Sequence, residues 1–538
     1  MHENTGDLTW WQRGVIYQVY PRSFKDTTGN GVGDLQGVIE RLDYLEELEI
    51  EALWLSPFYP SPMADFGYDV ADYCDVDPLF GDLATFDRLV EGAHARGIRI
   101  IIDWVPNHTS DEHPWFQASR SSRDDPQRDW YIWRDPAPGG GPPNNWASFF
   151  GGPAWTYDEG TGQYYLHQFA PEQPDLNWRN PEVREAMYDT LRFWLERGVD
   201  GFRMDVIGLI IKDAELRDNP SNPDAPEDLP AEDLAARQIM TYNLDQEEVH
   251  DVLREIRRVL DAYEEIVAIG ELWFELPSWA RYYGAEDDEL QLPINFRLAK
   301  QPWEARAMRE TVEEVYAALP DFAWHHFVLT SHDFARTASR FGGQGPARVA
   351  AMLLLTLWGT PTLYYGDELG LENGDIPPEK IQDPQGLNLG AERTRDVART
   401  PMQWTPESYA GFCPAEVEPW LPVSDDYVSR NVRAQSAAPF SILNLYRALL
   451  RYRRRTPALH GGAYRSVEVE AGDCFVYLRE AGDERRLVAL NFSAAPRTVS
   501  VPGEGRGRVV LSTHLDREEA VDLAALALRP HEGVLVEL

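Results

Sequence analysis

The chain has 538 residues, 43% of them hydrophobic and 12% aromatic, which excludes global disorder and allows a large core in two to four domains. A formal net charge of −39 excludes general binding to nucleic acid or to anionic membrane surfaces. Three distant cysteines (Cys74, Cys413, Cys474) make neither a disulfide framework nor a metal-ligand spacing, and no basic-then-apolar leader or 18-residue apolar run occurs, so a cytoplasmic location with no membrane span is expected.

Val15 to Tyr20 and Ala52 to Leu55 read as the first two strands. From Asp82 onward one grammar repeats: amphipathic helix, then strand, then a polar cluster. Leu83, Phe86, Leu89, Val90 and Ala93 keep helical spacing up to Gly97; Ile98–Ile102 is a buried strand; Asp103 to His108 follow. The pattern recurs as helix 182–197, strand Gly201–Met204 and Asp205. It recurs again as helix 247–262, strand Ile266–Ile269 and Glu271, then as helix 306–318, strand Phe327–Leu329 and His332-Asp333. A further strand, Thr362–Tyr365, ends at Gly366-Asp367-Glu368. About eight such strands predict an α/β fold, a (β/α)8 TIM barrel, with the polar clusters at the strand C-terminal ends. A doubly wound sheet fits less well, because no glycine-rich phosphate loop follows the first strand. Residues 1–107 and 179–461 are assigned to the barrel. Residues 108–178, rich in Pro, Gly, Asn and Trp, are read as a subdomain inserted after the third strand. Residues 462–538, with short alternating strands, are read as a C-terminal antiparallel β-sandwich. A second long segment, about 212–245, carries four prolines and an acidic stretch from Asp224 to Asp233, expected to be solvated.

Three acids, Asp205, Glu271 and Asp333, each directly follow a predicted strand. A carboxylate there costs desolvation unless it is partnered, and Arg203 shares the strand face of Asp205. Any one alone reads equally well as a structural ion pair. All three, with His108 and His332 in the same layer and no phosphate or redox motif, point to glycoside hydrolysis by a pair of carboxyl groups in different protonation states.

The motifs Asp103-Trp104-Val105-Pro106-Asn107-His108, Gly201-Phe202-Arg203-Met204-Asp205, Gly270-Glu271 and His332-Asp333 resemble glycoside hydrolase family 13, the α-amylase family, over essentially the whole chain. Gln173-Pro174-Asp175-Leu176-Asn177 and Ala398-Arg399-Thr400-Pro401-Met402-Gln403-Trp404 are similar to its oligo-1,6-glucosidase and α-glucosidase subgroup. The resemblance implies Asp205 as nucleophile, Glu271 as general acid/base and Asp333 as the third acid. It further implies His108 and His332 on the first sugar, Arg203 orienting Asp205, and Asp65 with Arg399 clamping the non-reducing end. Tyr68 would stack on the ring, with Phe150, Phe169 and Gln173 lining the pocket. Without the resemblance, these aromatic residues read as core. Val206 and Trp273 are expected near the second sugar and favour α-1,6 links. Ser331 departs from the family pattern, which has Asn there.

Asp26, Thr28, Asn30, the Val32 carbonyl and Asp34 space oxygen atoms at alternate positions around glycines, as calcium loops do, and the resemblance implies a structural Ca2+ or Mg2+. No cofactor is expected for the chemistry itself. The expected activity is that of an exo-acting, retaining α-glucosidase on a small oligosaccharide or glucoside. The expected form is a monomer or weak homo-oligomer. Alternatives are a glucosyltransferase or sucrose isomerase on the same scaffold, and a non-catalytic transport-complex relative.

Overall fold

The structure, a computed structural model, describes residues 8–538. Eight parallel strands form the barrel sheet: β1 (Ile16–Val19), β2 (Ala52–Leu55), β3 (Arg99–Trp104), β4 (Gly201–Met204), β5 (Val267–Glu271), β6 (Leu292–Ile294), β7 (His326–Val328) and β8 (Thr360–Tyr364). The hydrogen-bonded order runs β7-β8-β1-β2-β3-β4-β5-β6, so the sheet lacks only the β6–β7 ladder to close, and those two strands lie side by side. The expected helices are present: Leu83–His94, capped by Asp82 on the Thr85 amide; Pro181–Leu195, capped by Asn180; Val249–Leu260; and Ala305–Ala318. Strand β6 escaped the sequence reading. It has three residues, one of them Pro293, and the helix before it, Leu276–Ala280, is too short to show a period.

Within 108–178 a three-stranded antiparallel sheet places Gln163–Leu166 between Trp133–Arg134 and Trp155–Asp158. Ile132, Trp146, Trp155 and Leu166 form its small core, and Leu216 and Tyr242 of the proline-rich segment pack against it. That segment is tied down by polar bonds as well. Trp146 Nε1 donates to the Arg217 carbonyl, and the Asn219 side chain accepts from the Thr241 and Tyr242 amides. The expected solvation of its acidic stretch fails at Asp233, which is 5% exposed and pairs with Arg393 at 3.2 Å.

The C-terminal region is a six-stranded antiparallel sheet in the order 463–467, 474–481, 484–491, 533–537, 506–512, 520–522, with a separate two-stranded ladder, 497–499 on 526–528. Strand alternation splits its faces. Phe475, Tyr477, Val488 and Leu490 join the barrel core; Val476, Leu478, Leu487 and Ala489 pack with Val499, Leu526 and Leu528. All three cysteines are free, and among the described residues no helix is long and apolar enough to cross a membrane.

Candidate active site

A cavity of about 1000 Å3 opens at the C-terminal ends of the strands. Asp205 follows β4, Glu271 ends β5, and Asp333 lies in the loop after β7. All three line the cavity. One buried guanidinium links the first two: Arg203 Nη1 donates to Asp103 (2.5 Å) and to Asp205 (2.7 Å), and Nη2 donates to Glu271 (2.6 Å). Three carboxyl groups thus share one buried cation. Burial raises Asp205 well above the ordinary carboxylate range, Arg203 opposes this, and Glu271 and Asp103 add to the rise. Burial likewise pushes Asp103 up to about 6. Carboxyl groups this close share their protons, so Asp205 and Asp103 do not titrate independently of each other.

The backbone just after Asp205 is bent toward Glu271. Val206 adopts φ 38°, ψ 41°, a left-handed conformation costly for a β-branched residue, and its N–H thereby reaches Glu271 Oε2 at 3.1 Å. The other oxygen of Glu271 accepts from Trp273 Nε1 at 2.9 Å. Trp273 is 42% exposed, stacks on Phe296 with ring centroids 4.3 Å apart, and lies against Phe334 and Lys300 at the cavity mouth.

The opposite wall is built by the loop after β2. Asp69 accepts from the Ser61 hydroxyl and the Ala64 and Asp65 amides, and Gly67, at φ 105°, turns the chain so that Asp65 and Tyr68 both face the cavity. Tyr68 stacks on His332 (5.4 Å, 7°), and its hydroxyl meets His332 Nε2 at 2.7 Å, while Gln18 holds His332 Nδ1 at 2.8 Å. Asp65 and Arg399, both expected at the non-reducing end of the sugar, have different partners in the structure. Asp65 pairs with Arg395, at 2.9 Å, which also reaches Asp333 (3.2 Å) and Asp383 (2.6 Å). Arg399 is committed elsewhere: Nε donates to the His332 carbonyl, Nη2 meets Asp333 at 3.3 Å, and the guanidinium lies over Tyr20. Arg395 lies only four residues before Arg399, and both arginines reach Asp333, but only Arg395 also reaches Asp65. Burial raises Asp65 to about 6 against the pull of Arg395. At Asp333 burial is outweighed by His332, Arg395 and Arg399, which hold its carboxyl well below the ordinary range.

Phe150 and Phe169 line the cavity edge to face, 5.4 Å apart, with Phe169 against His108. Gln173 sits one layer behind, fully buried, its amide on Asp65 (3.3 Å). Outside the cavity lining, the loop Asp26–Asp34 is closed by its own acids. Asp26 accepts from the Gly29 and Gly31 amides and the Thr28 hydroxyl, and Asn30 accepts from the Val32 amide. Asp34 accepts from Thr27 and caps the helix Leu35–Ile39 through Gly37. Among the described residues no group of three or more His, Cys, Asp or Glu could hold a metal.

A parallel barrel whose strand ends hold three acids around one pocket, with an arginine between two of them, defines a glycoside hydrolase type of site. Comparison with known proteins makes this specific: the chain belongs to the α-amylase family. The family described as "Alpha amylase, catalytic domain" matches residues 18–462, and a domain of unknown function, DUF3459, matches 462–535. The chain is 41% identical to a probable α-glucosidase of Rhizobium meliloti (93% of this chain, 94% of that protein). It is 37% identical to an oligo-1,6-glucosidase of Parageobacillus thermoglucosidasius (98% of each). Among solved structures, an α-glucosyl transfer enzyme superposes with a TM-score of 0.92 at 40% identity, over 99% of this chain and 100% of that one.

Proposed function

We propose that this enzyme is an exo-acting, retaining α-glucosidase that releases glucose from the non-reducing ends of short α-glucosides, α-1,6 links included. The observation that carries the reading is the single guanidinium of Arg203 shared by Asp205 and Glu271 at the ends of adjacent strands. A double displacement needs its two carboxyl groups close, about 5–5.5 Å apart. Asp205 attacks the anomeric carbon as the bond to the leaving oxygen breaks, and Glu271 gives its proton to that oxygen. Water then attacks the glucosyl ester, Glu271 takes the water proton, and Asp205 leaves as carboxylate. Asp333, ionised beside Arg395 and Arg399, is placed to take sugar hydroxyls. Asp65 with Arg395 closes the far end, which suits a chain terminus rather than an internal link. Val206 and the exposed Trp273 line the same cavity, which supports a place for them beside the second sugar. The test is a panel of isomaltose, maltose and p-nitrophenyl α-glucoside, with the first-released anomer read by NMR. α-Glucose from isomaltose is the expected product. β-Glucose first, or rapid loss of starch viscosity, overturns the reading.

The loop Asp26–Asp34 is the place for a structural divalent ion. Each of its two acids has about four acceptor positions, and Asp26 and Asp34 each use three on loop or cap donors, so oxygen capacity remains beside Thr28, Asn30 and Val32. An ion that binds only the folded chain raises the melting temperature with its concentration. Chelation should therefore lower the melting temperature and leave turnover of the folded enzyme unchanged; loss of turnover with no thermal shift would assign the ion to the chemistry instead.

A further inference from the structure

Behind His108 lies a buried charge pair whose role neither the barrel nor the pocket requires. Lys212, 1% exposed, comes from the segment after β4. Asp175, fully buried, comes from the end of the inserted subdomain. Their charged atoms are 2.8 Å apart, and between them and the cavity stands Asn107, also fully buried. Lys212 Nζ donates to Asn107 Oδ1 at 2.8 Å, and Asn107 Nδ2 donates to Asp175 Oδ1 at 3.2 Å. An ammonium has no acceptor and a carboxylate no donor, so the two charges fix which end of the Asn107 amide is which. The NH2 end then lies 3.1 Å from His108 Nδ1.

His108 itself is caught between two amides. Asn107 presents its NH2 to Nδ1, and Gln173 presents its Nε2 at 3.0 Å from His108 Nε2. Burial lowers His108 to about 4, so the ring is neutral at pH 7, carries one proton, and can accept from only one of these amides. Gln173 is oriented by the Ala170 amide and a long contact to Asp65, both weaker constraints than an ion on each end. The Tyr68 carbonyl, 3.2 Å from Nε2, offers that nitrogen an acceptor.

We propose that Lys212 and Asp175 act together as positioning residues that hold His108 as the Nε2–H tautomer, through Asn107, so that the ring nitrogen on the Gln173 and Asp65 side is a donor. The inference rests on the glucosidase reading for its consequence, because a sugar hydroxyl in the cavity would meet a donor at His108 and acceptors at Asp65 and Asp333. The tautomer itself does not depend on that reading.

Histidine-selective 15N NMR of the wild-type protein, with His108 assigned by its absence in His108→Gln, reads the tautomer directly. A protonated Nε2 is expected; a protonated Nδ1 overturns the proposal. The double variant Lys212→Met/Asp175→Asn removes both charges at once and avoids leaving one buried alone. With Asn107 free to turn, the Nε2–H signal should give way to Nδ1–H, and kcat/KM for α-glucosides should fall about tenfold or more, the order of one mis-set hydrogen bond. A folded double variant that keeps both the Nε2–H signal and kcat/KM within twofold of wild type overturns the proposal. A wild-type enzyme with the expected tautomer but no α-glucosidase activity would sink the functional reading alone.

Discussion

The two ends of the barrel bury arginine in opposite ways. At the C-terminal ends of the strands, Arg203 is shared by Asp103, Asp205 and Glu271, and Arg395 by Asp65, Asp333 and Asp383, so each buried cation faces an excess of carboxyl groups. At the other end, Arg453 and Arg479 are 1% and 0% exposed and donate to carbonyl oxygens. Arg453 donates to Leu355, Leu357 and Gly359; Arg479 donates to Thr356, His460 and Gly462. Leu355 and Thr356 close the helix Gln344–Thr356, whose last carbonyls have no partner in the helix and carry partial negative charge. A cation on helix-end dipoles satisfies groups that would otherwise be stranded and is a device of stability. A cation outnumbered by carboxyl groups leaves surplus negative charge, which stores a proton and can be set against a developing positive charge.

The largest effect that would break this contrast is on turnover. Asp205→Asn and Glu271→Gln should each lower kcat by at least about 10^2- to 10^4-fold, the range of a lost general acid or nucleophile. Neither should cost stability, since Arg203 keeps two carboxyl partners, and the melting temperature of Asp205→Asn should stay level or rise. A loss below about tenfold, some 1.4 kcal/mol, is too small for either role. A large fall in melting temperature would mean that the surplus at this end is structural after all.

A middle-sized effect tests the opposite end. Arg453→Met should lower the urea midpoint by the equivalent of about 2–3 kcal/mol, because two or three buried carbonyls lose their donors, each worth about 1–3 kcal/mol before the cation's own desolvation is recovered. Activity per folded molecule should not change. If Arg453→Met is as stable as wild type, dehydrating the guanidinium costs as much as capping the helix returns, and the contrast between the ends loses its energetic basis.

What the sequence disclosed follows the same division. The helix, glycine, strand, acid pattern repeats because each βα unit must bury one helix stripe and one strand, so the strands with full-length helices and the three acids at their ends were readable. β6 was not, because three residues with Pro293 at the centre carry no period. The role of Arg395 was not legible: Arg395 and Arg399 are four residues apart in one loop, and only the fold shows that Arg395 is the one that crosses to Asp65 in the loop after β2. Lys212 had no local signature at all. Its meaning lies in Asp175 and Asn107, 37 and 105 residues away, brought together by the inserted subdomain. The left-handed Val206 likewise has no signal in a residue type that disfavours that conformation.

The smallest expected effect concerns pH. His325, just before β7, is fully buried among Trp279, Tyr316 and Phe327, and its ring nitrogens meet no protein donor or acceptor among the described residues. Burial holds it well below the ordinary histidine range, and it holds neighbouring His326 down to about 3. The folded state therefore resists protonation that the unfolded state accepts from about pH 6.5 downward. Below that pH the unfolded chain binds more protons, so the contribution of His325 to stability is complete above 6.5 and is lost as pH falls. The slope from one such group is about 1.4 kcal/mol per pH unit. His325→Phe keeps the ring and removes the titration. Between about pH 6 and pH 4 the variant should lose about 1.4 kcal/mol less per pH unit than wild type, measured by urea unfolding across that range. Asp333, in the loop after the same strand, is also shifted down, but as a carboxyl that stays ionised beside its arginines, and its own contribution fades only at much lower pH. Equal slopes for wild type and His325→Phe would show that His325 is not the buried neutral group described here, and that the acid limit of the fold is set at the carboxyl-rich end.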